Sequence, residues 1–368
     1  MNKYPILQLL VFVVSIGLLL SFPTAPAHAA NCDGLPSSMT SGTIPVGTYT
    51  LTDNCVITGT FNITSGTVTI NGGGFAIDGD GNQIFSVSSG ATLELNNVTL
   101  RNGNASSGAG GAIANMGTVT ISNSTLSGNS ASFGGAIWSN DTVTISNSTL
   151  SGNSATDSGG AISSLGTVTI SNSSLSGNNA TNNGGAINNS GTVTISNSTL
   201  SGNSATNNGG VIRNNGTLNI TNSTLSGNNA VGYGGAIYNV VAANLTNTII
   251  SANTASSGGN CYNNGGTITD NGGNLEDTNT CGLSSGFNTD PLLGAFNGSY
   301  YPLQAGSPAI DAAPTCAGLT TDQIGTPRPQ GSACDIGAIE MLLSPDGSVS
   351  VPPAPAPPMC NTVTDINA

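Results

Sequence analysis

Gly134-Gly-Ala-Ile-Trp-Ser-Asn-Asp-Thr-Val-Thr-Ile-Ser-Asn-Ser-Thr-Leu-Ser-Gly-Asn153 is one copy of a unit that recurs along the chain. Gly-Gly-Ala-Ile begins at Gly110, Gly134, Gly159, Gly184 and Gly234, with Gly-Gly-Val-Ile at Gly209, in steps of 24 and then 25 residues. Thr-Val-Thr-Ile-Ser begins at Thr118, Thr142, Thr167 and Thr192, and Ser-Gly-Asn at Ser127, Ser151, Ser176, Ser201 and Ser226. Each unit holds three short apolar pieces: Ala-Ile, an alternating run such as Val119 and Ile121 between Thr118, Thr120 and Ser122, and a closing Leu such as Leu126. Alternation at a period of two marks a half-buried strand, and the intervening Gly, Asn and Ser are turn residues. No run holds helical spacing, and Gly recurs too often for helix.

Three short strands repeated at constant length describe one coil of a parallel β-helix. The expected fold is all-β: a right-handed parallel solenoid of about ten coils, stacked at about 4.8 Å. Val, Ile and Leu would form inward columns. The Asn columns (Asn123, Asn147, Asn172, Asn197, Asn222 and Asn129, Asn153, Asn178, Asn203, Asn228) would sit at bends, where stacked amides can bond along the axis. The expected organisation is a signal peptide over 1–30 and an N-terminal cap with the first coils over 31–109. Regular repeats follow over 110–258, C-terminal coils and cap over 259–343, and a Pro-rich linker and tail over 344–368.

Columns explain the composition. Charged residues are 6% of the 368-residue chain, with 17 acids against four Lys and Arg. In stacked identical coils a charged repeat position would face its own copy, and like charges opposite each other destabilise a sheet.

Lys3, the apolar run Ile6–Leu20 and Ala27-His28-Ala29 read as a secretory signal. Cleavage would remove Lys3 and His28, leaving Arg101, Arg213 and Arg328 as the only cations. Without His there is no Ser-His-Asp triad and no His-ligated zinc. Three arginines cannot neutralise a nucleic-acid backbone. No further apolar run reaches the roughly 20 residues of a membrane span. Seven Cys fit an oxidising compartment. Sequence neighbours suggest Cys32–Cys55, Cys261–Cys281 and Cys316–Cys334 as staples at the two ends, with Cys360 left over.

Three C-terminal stretches carry a likeness: Ser307-Pro-Ala-Ile-Asp-Ala-Ala313, Thr321-Asp-Gln-Ile-Gly-Thr-Pro-Arg-Pro329 and Cys334-Asp-Ile-Gly-Ala-Ile-Glu340. They resemble the C-terminal signature of bacterial choice-of-anchor Q proteins. That resemblance covers most of residues 70–340. It implies an exported β-helix of the pectin-lyase-like class, tied to the cell surface by a variable tail, and it implies no reaction. Ile324 stands where the family commonly has Arg, and no recognisable anchor follows the Pro-rich stretch.

Candidate sites are few. Phe133 and Trp138 flank one Gly-Gly-Ala-Ile, and Tyr233 and Tyr238 hold the same places four coils later. These rings could stack on sugars, although four coils separate the pairs by about 19 Å. Asp78, Asp80 and Asn82 offer oxygens to Ca²⁺, but Gln83 and Ser89 stand where an EF-hand needs Gly and Glu. Asp141 and Asp157 occupy turn positions held by Gly or Asn in other coils, which weakens them as a glycosidase pair. Thr118/Thr120, Thr142/Thr144, Thr167/Thr169 and Thr192/Thr194 would form an outward array like that of ice-binding solenoids. The reading is an exported, non-catalytic structural or adhesive protein with cell-surface polymers or glycans as partners. The alternatives are a polysaccharide lyase or glycoside hydrolase, and an ice-binding solenoid.

Overall fold

The computed structural model describes residues 32–343 and 349–350. The expected signal peptide, Cys360 and nearly all of the Pro-rich tail lie outside these residues. The chain winds into a parallel β-solenoid of about nine turns. Three faces are ten-stranded sheets. Face A contains strands such as Ile113–Asn115, face B strands such as Thr118–Ser122, and face C strands such as Thr125–Ser127.

A fourth sheet, face D, was not anticipated: six strands running from Asn104–Ala109 to Asn229–Ala230. Its inward side is a column of alanines: half-buried Ala105 in the first strand, then Ala131, Ala155, Ala180, Ala205 and Ala230, each at most 1% exposed. One small apolar residue per strand makes no alternating pattern, so periodicity cannot reveal it.

The register is that of the repeat. Val119 pairs with Val143 and Ile121 with Ile145, and Leu126 stacks on Leu150. These columns, with Ile113, Ile137, Ile162, Ile187, Ile212 and Ile237, are fully buried. The second Gly of each Gly-Gly lets neighbouring coils touch: a Cβ on Gly160 would lie 2.1 Å from the Gly185 carbonyl oxygen.

The two expected Asn columns behave differently. Asn153, Asn178, Asn203 and Asn228 are buried and form a continuous ladder. Asn178 Nδ2 donates to Asn203 Oδ1 at 3.0 Å, and that oxygen also accepts the Asn178 backbone N–H at 3.0 Å. The second amide hydrogen goes to the Leu150 carbonyl at 3.0 Å. Every donor and both acceptor positions are thereby satisfied. Asn123, Asn147, Asn172, Asn197, Asn222 and Asn247 instead turn the chain from face B to face C, with φ between 44° and 51°. Asn tolerates this left-handed region better than most residues. A further ladder at the turn from face A to face B runs from Asn189 through Asn214 to Asn239, at 2.7 and 2.8 Å.

All three expected disulfides form: Cys32–Cys55, Cys261–Cys281 and Cys316–Cys334. The chain after Asp290 folds back along face C. The three motifs that carry the family resemblance interlock there. Buried Arg328 donates to Glu340 Oε2 at 3.0 Å and to the Asp335 and Gly337 carbonyls at 2.7 Å. Asp322 Oδ2 accepts from the Glu340 N–H at 2.9 Å, and Asp335 Oδ1 from the Asp311 N–H at 2.7 Å. This knot fastens the returning segment.

Candidate functional site

The outward column of face A changes character along the axis. Register pairs Ala114, Trp138, Ser163, Asn188, Arg213, Tyr238 and Tyr262 in succession. A second column lies just before the double Gly: Phe133, Ser158, Asn183, Asn208, Tyr233 and Ser257. The two converge, since the Tyr233 and Tyr262 rings are 4.6 Å apart. Tyr238 and Tyr262 are stacked at 5.7 Å with an interplanar angle of 4°.

The relief is a saddle. Phe133 and Trp138 stand at one end, and the tyrosine cluster at the other. Ser158 and Ser163 sink between them to 5% and 7% exposure. Asn183, Asn188, Asn208 and Arg213 complete the floor. Trp138 and Tyr238 stand four coils apart, about 19 Å, and Tyr262 lies one coil further on. Aromatic faces supply flat apolar platforms, and hydroxyl, amide and guanidinium groups supply hydrogen bonds.

Arg213 is the cation of this strip. The ion pairs among the described residues are Arg101–Asp78 and Arg328–Glu340. Arg213 instead reaches Asn188 Oδ1 at 3.4 Å, with the Asn215 amide alongside. Its charge is therefore open to a ligand on a chain of net charge −13.

Sequence reasoning named Phe133, Trp138, Tyr233 and Tyr238, and the structure gathers them in two groups. It missed Tyr262, Arg213 and Asn188. Tyr262 hides because its coil replaces Gly-Gly-Ala-Ile with Gly258-Gly-Asn-Cys261 and is one residue shorter. Arg213 was legible, standing 25 residues before Tyr238.

The other candidates fall elsewhere. Asp78 spends its carboxylate on Arg101 Nε at 2.8 Å and on Asn102 Nδ2 at 3.0 and 3.1 Å. Asp80 donates its N–H to Asp78 at 3.1 Å, and Asn82 closes the turn onto the Gly79 carbonyl at 3.0 Å. No group of three or more His, Cys, Asp or Glu that could hold a metal occurs among the described residues. Asp141 accepts from Thr142 at 3.1 Å within its turn, whereas Asp157, expected in a turn, lies in the face D strand Ser154–Ser158 and accepts from Ser158 at 2.7 Å and from Asn182 of the next coil at 3.4 Å. The Thr residues align on face B, Thr118, Thr142, Thr167, Thr192 and Thr217 forming one outward column. Glu94 and Asn219 interrupt the neighbouring one.

No helix among the described residues is long and apolar enough to cross a membrane. Compared with known proteins, the chain matches no family model, no curated sequence and no solved structure.

Proposed function

We propose that the protein is an exported, non-catalytic solenoid, at the cell surface or secreted, that adheres to glycans along the saddle of face A. The observation that carries this reading is the pairing of two aromatic platforms with an uncharged hydrogen-bonding floor and one guanidinium that has no carboxylate partner. Uniform coils support the non-catalytic part, because an enzyme on such a scaffold needs a cleft that concentrates reactive groups. The three disulfides and the apolar leader support export. The three interlocked C-terminal motifs support kinship with the choice-of-anchor Q proteins.

A glycan array tests the binding. Wild-type protein should retain extended oligosaccharides, and Trp138→Ala or Tyr238→Ala should lose about 1–2 kcal/mol of affinity. Retention unchanged in both variants would remove the saddle as the site. Cleavage of a polyuronate by purified protein would overturn the non-catalytic reading, and recovery of the native protein from the cytoplasm would overturn export.

A further inference from the structure

The segment lying on face C reveals what the left-handed Asn column does. Thr315 O accepts from Asn247 Nδ2 at 2.7 Å, Cys316 O from Asn222 Nδ2 at 3.4 Å, and Thr321 O from Asn197 Nδ2 at 2.7 Å. As the residue number rises from 315 to 321, the coil number falls. The segment therefore climbs the column towards the N-terminal end, presenting backbone carbonyls to successive amides. A parallel column of hydroxyls joins in: Thr199 Oγ1 donates to Gln323 Oε1 at 2.6 Å, and Thr224 Oγ1 accepts the Ala338 N–H at 3.1 Å.

The covering stops at Gln323, but the column continues. Asn172 is half-buried and Asn147 exposed, whereas Asn197, Asn222 and Asn247 are at most 3% exposed. The side-chain amides of Asn147 and Asn172 have no hydrogen-bond partner among the described residues. At the boundary lies a cleft of about 290 Å³ lined by Asn147, Thr149, Asn172, Ser174, Gln323 and Ile324, among others. Ser174 holds the place of Thr199 one coil upstream. It is 2% exposed, and its Oγ has no partner. A buried hydroxyl left unpaired costs about 1–3 kcal/mol, so this position favours any ligand that bonds to it.

We propose that the upstream half of face C, from the Ser174 cleft through Asn172 and Asn147, is a docking track for an extended, uncharged, proline-rich polypeptide of a partner protein. The class of ligand follows from the downstream half of the same column, which already holds polypeptide carbonyls. Proline fits best because its carbonyls are free of intrachain bonds and it brings no N–H to satisfy. This proposal stands apart from the glycan reading, which concerns a different face.

The test is titration of the full chain into fluorescein-labelled, end-blocked decaproline, followed by anisotropy. Saturable binding is expected. It should weaken about tenfold in the Asn147→Gly/Asn172→Gly variant, the equivalent of one or two hydrogen bonds. Glycine keeps the left-handed turn, so the solenoid should survive. Should that variant misfold, Thr149→Val and Asn172→Asp, which preserve shape, take its place with the same expectation. Absence of saturable binding, binding unaffected by these changes, or equal binding of a Gly-Ser peptide of the same length would each overturn the proposal. Displacement of the peptide by oligosaccharides that bind at Asn172 would reassign the track to glycans.

Discussion

Asn260 donates its side-chain amide to Glu276 Oε1 at 3.2 Å and so ends the buried ladder on a carboxylate. Every amide from Asn129 to Asn253 points its N–H₂ the same way along the axis, and Asn253 hands on to Asn260 at 3.0 Å. A one-way chain of donors needs an acceptor that asks for no proton in return. Asp277 Oδ1 assists, accepting from Asn260 at 2.8 Å. Glu276 is 0% exposed and also accepts from Thr278, from both the N–H and the hydroxyl of Thr280, and from the Cys281 N–H. Glu276→Gln should therefore destabilise despite its matching shape, because an amide N–H₂ would face a ring of donors. The expected loss is about 2–4 kcal/mol. Guanidinium denaturation should show it, and hydrogen exchange should place it in residues 250–285. An unchanged midpoint would refute the ladder-terminus role.

Within the ladder, Asn178→Ala leaves the Asn153 N–H and amide without their acceptor, removes the side-chain donor to the Leu150 carbonyl, and leaves the Asn203 oxygen with only the backbone N–H of residue 178. About 3 kcal/mol of destabilisation is expected. The decisive comparison is Asn178→Asp, which retains the acceptors but buries a charge and loses both donors. It should be at least as damaging at pH 7 and partly recover in acid, as measured by melting temperature.

Close coil contact yields a contrast between glycines. Gly152 has φ of 61° and open space around it, so Gly152→Ala should cost only the backbone preference, about 1–2 kcal/mol. Gly160 meets the neighbouring coil's backbone. Gly160→Ala must push coils apart and should cost clearly more, with loss of soluble protein as the readout in expression trials. Equal tolerance of both substitutions would argue against the observed stacking.

Burial pushes the Asp335 carboxyl up to about 6, against the N–H bonds from Met341 and Asp311 that hold it down. Burial likewise raises Glu340. A raised acid favours the fold when protonated. The Asp335 contribution is full below about pH 4 and is lost as pH rises through about 6. Glu276 is opposite. Burial raises it, but the bonds from Thr280, Thr278 and Cys281 outweigh burial and leave it below its ordinary value. Its contribution is full above about pH 4.5 and is lost in stronger acid. The melting temperature should therefore peak in mildly acidic buffer and fall towards pH 8. Asp335→Asn should shrink the fall between pH 5 and 8; an unaltered slope would exclude Asp335 as its source.

Much of this molecule was legible before folding. The repeat length, the inward Val, Ile and Leu columns, the sparse charge and the three disulfides all follow from the primary structure. They do so because stacking identical coils puts every residue beside its own copy, which turns one-dimensional periodicity into three-dimensional contact. The Phe133, Trp138, Tyr233 and Tyr238 candidates were legible for the same reason.

Tertiary structure decided what periodicity does not encode. Face D rests on one alanine per strand, too weak a pattern to read. Only the folded chain shows that the Asn129 column is buried and laddered while the Asn123 column turns the chain from face B to face C, since both are Asn at the same 25-residue spacing. Tyr262 joined the saddle through a shortened coil, and Glu276 ended a polar chain that begins 147 residues earlier at Asn129. The return of the C-terminal segment along face C rests on carbonyl-to-amide bonds between residues as far apart as Asn197 and Thr321. Such bonds use backbone oxygens, which every residue possesses, and so leave no mark in the sequence.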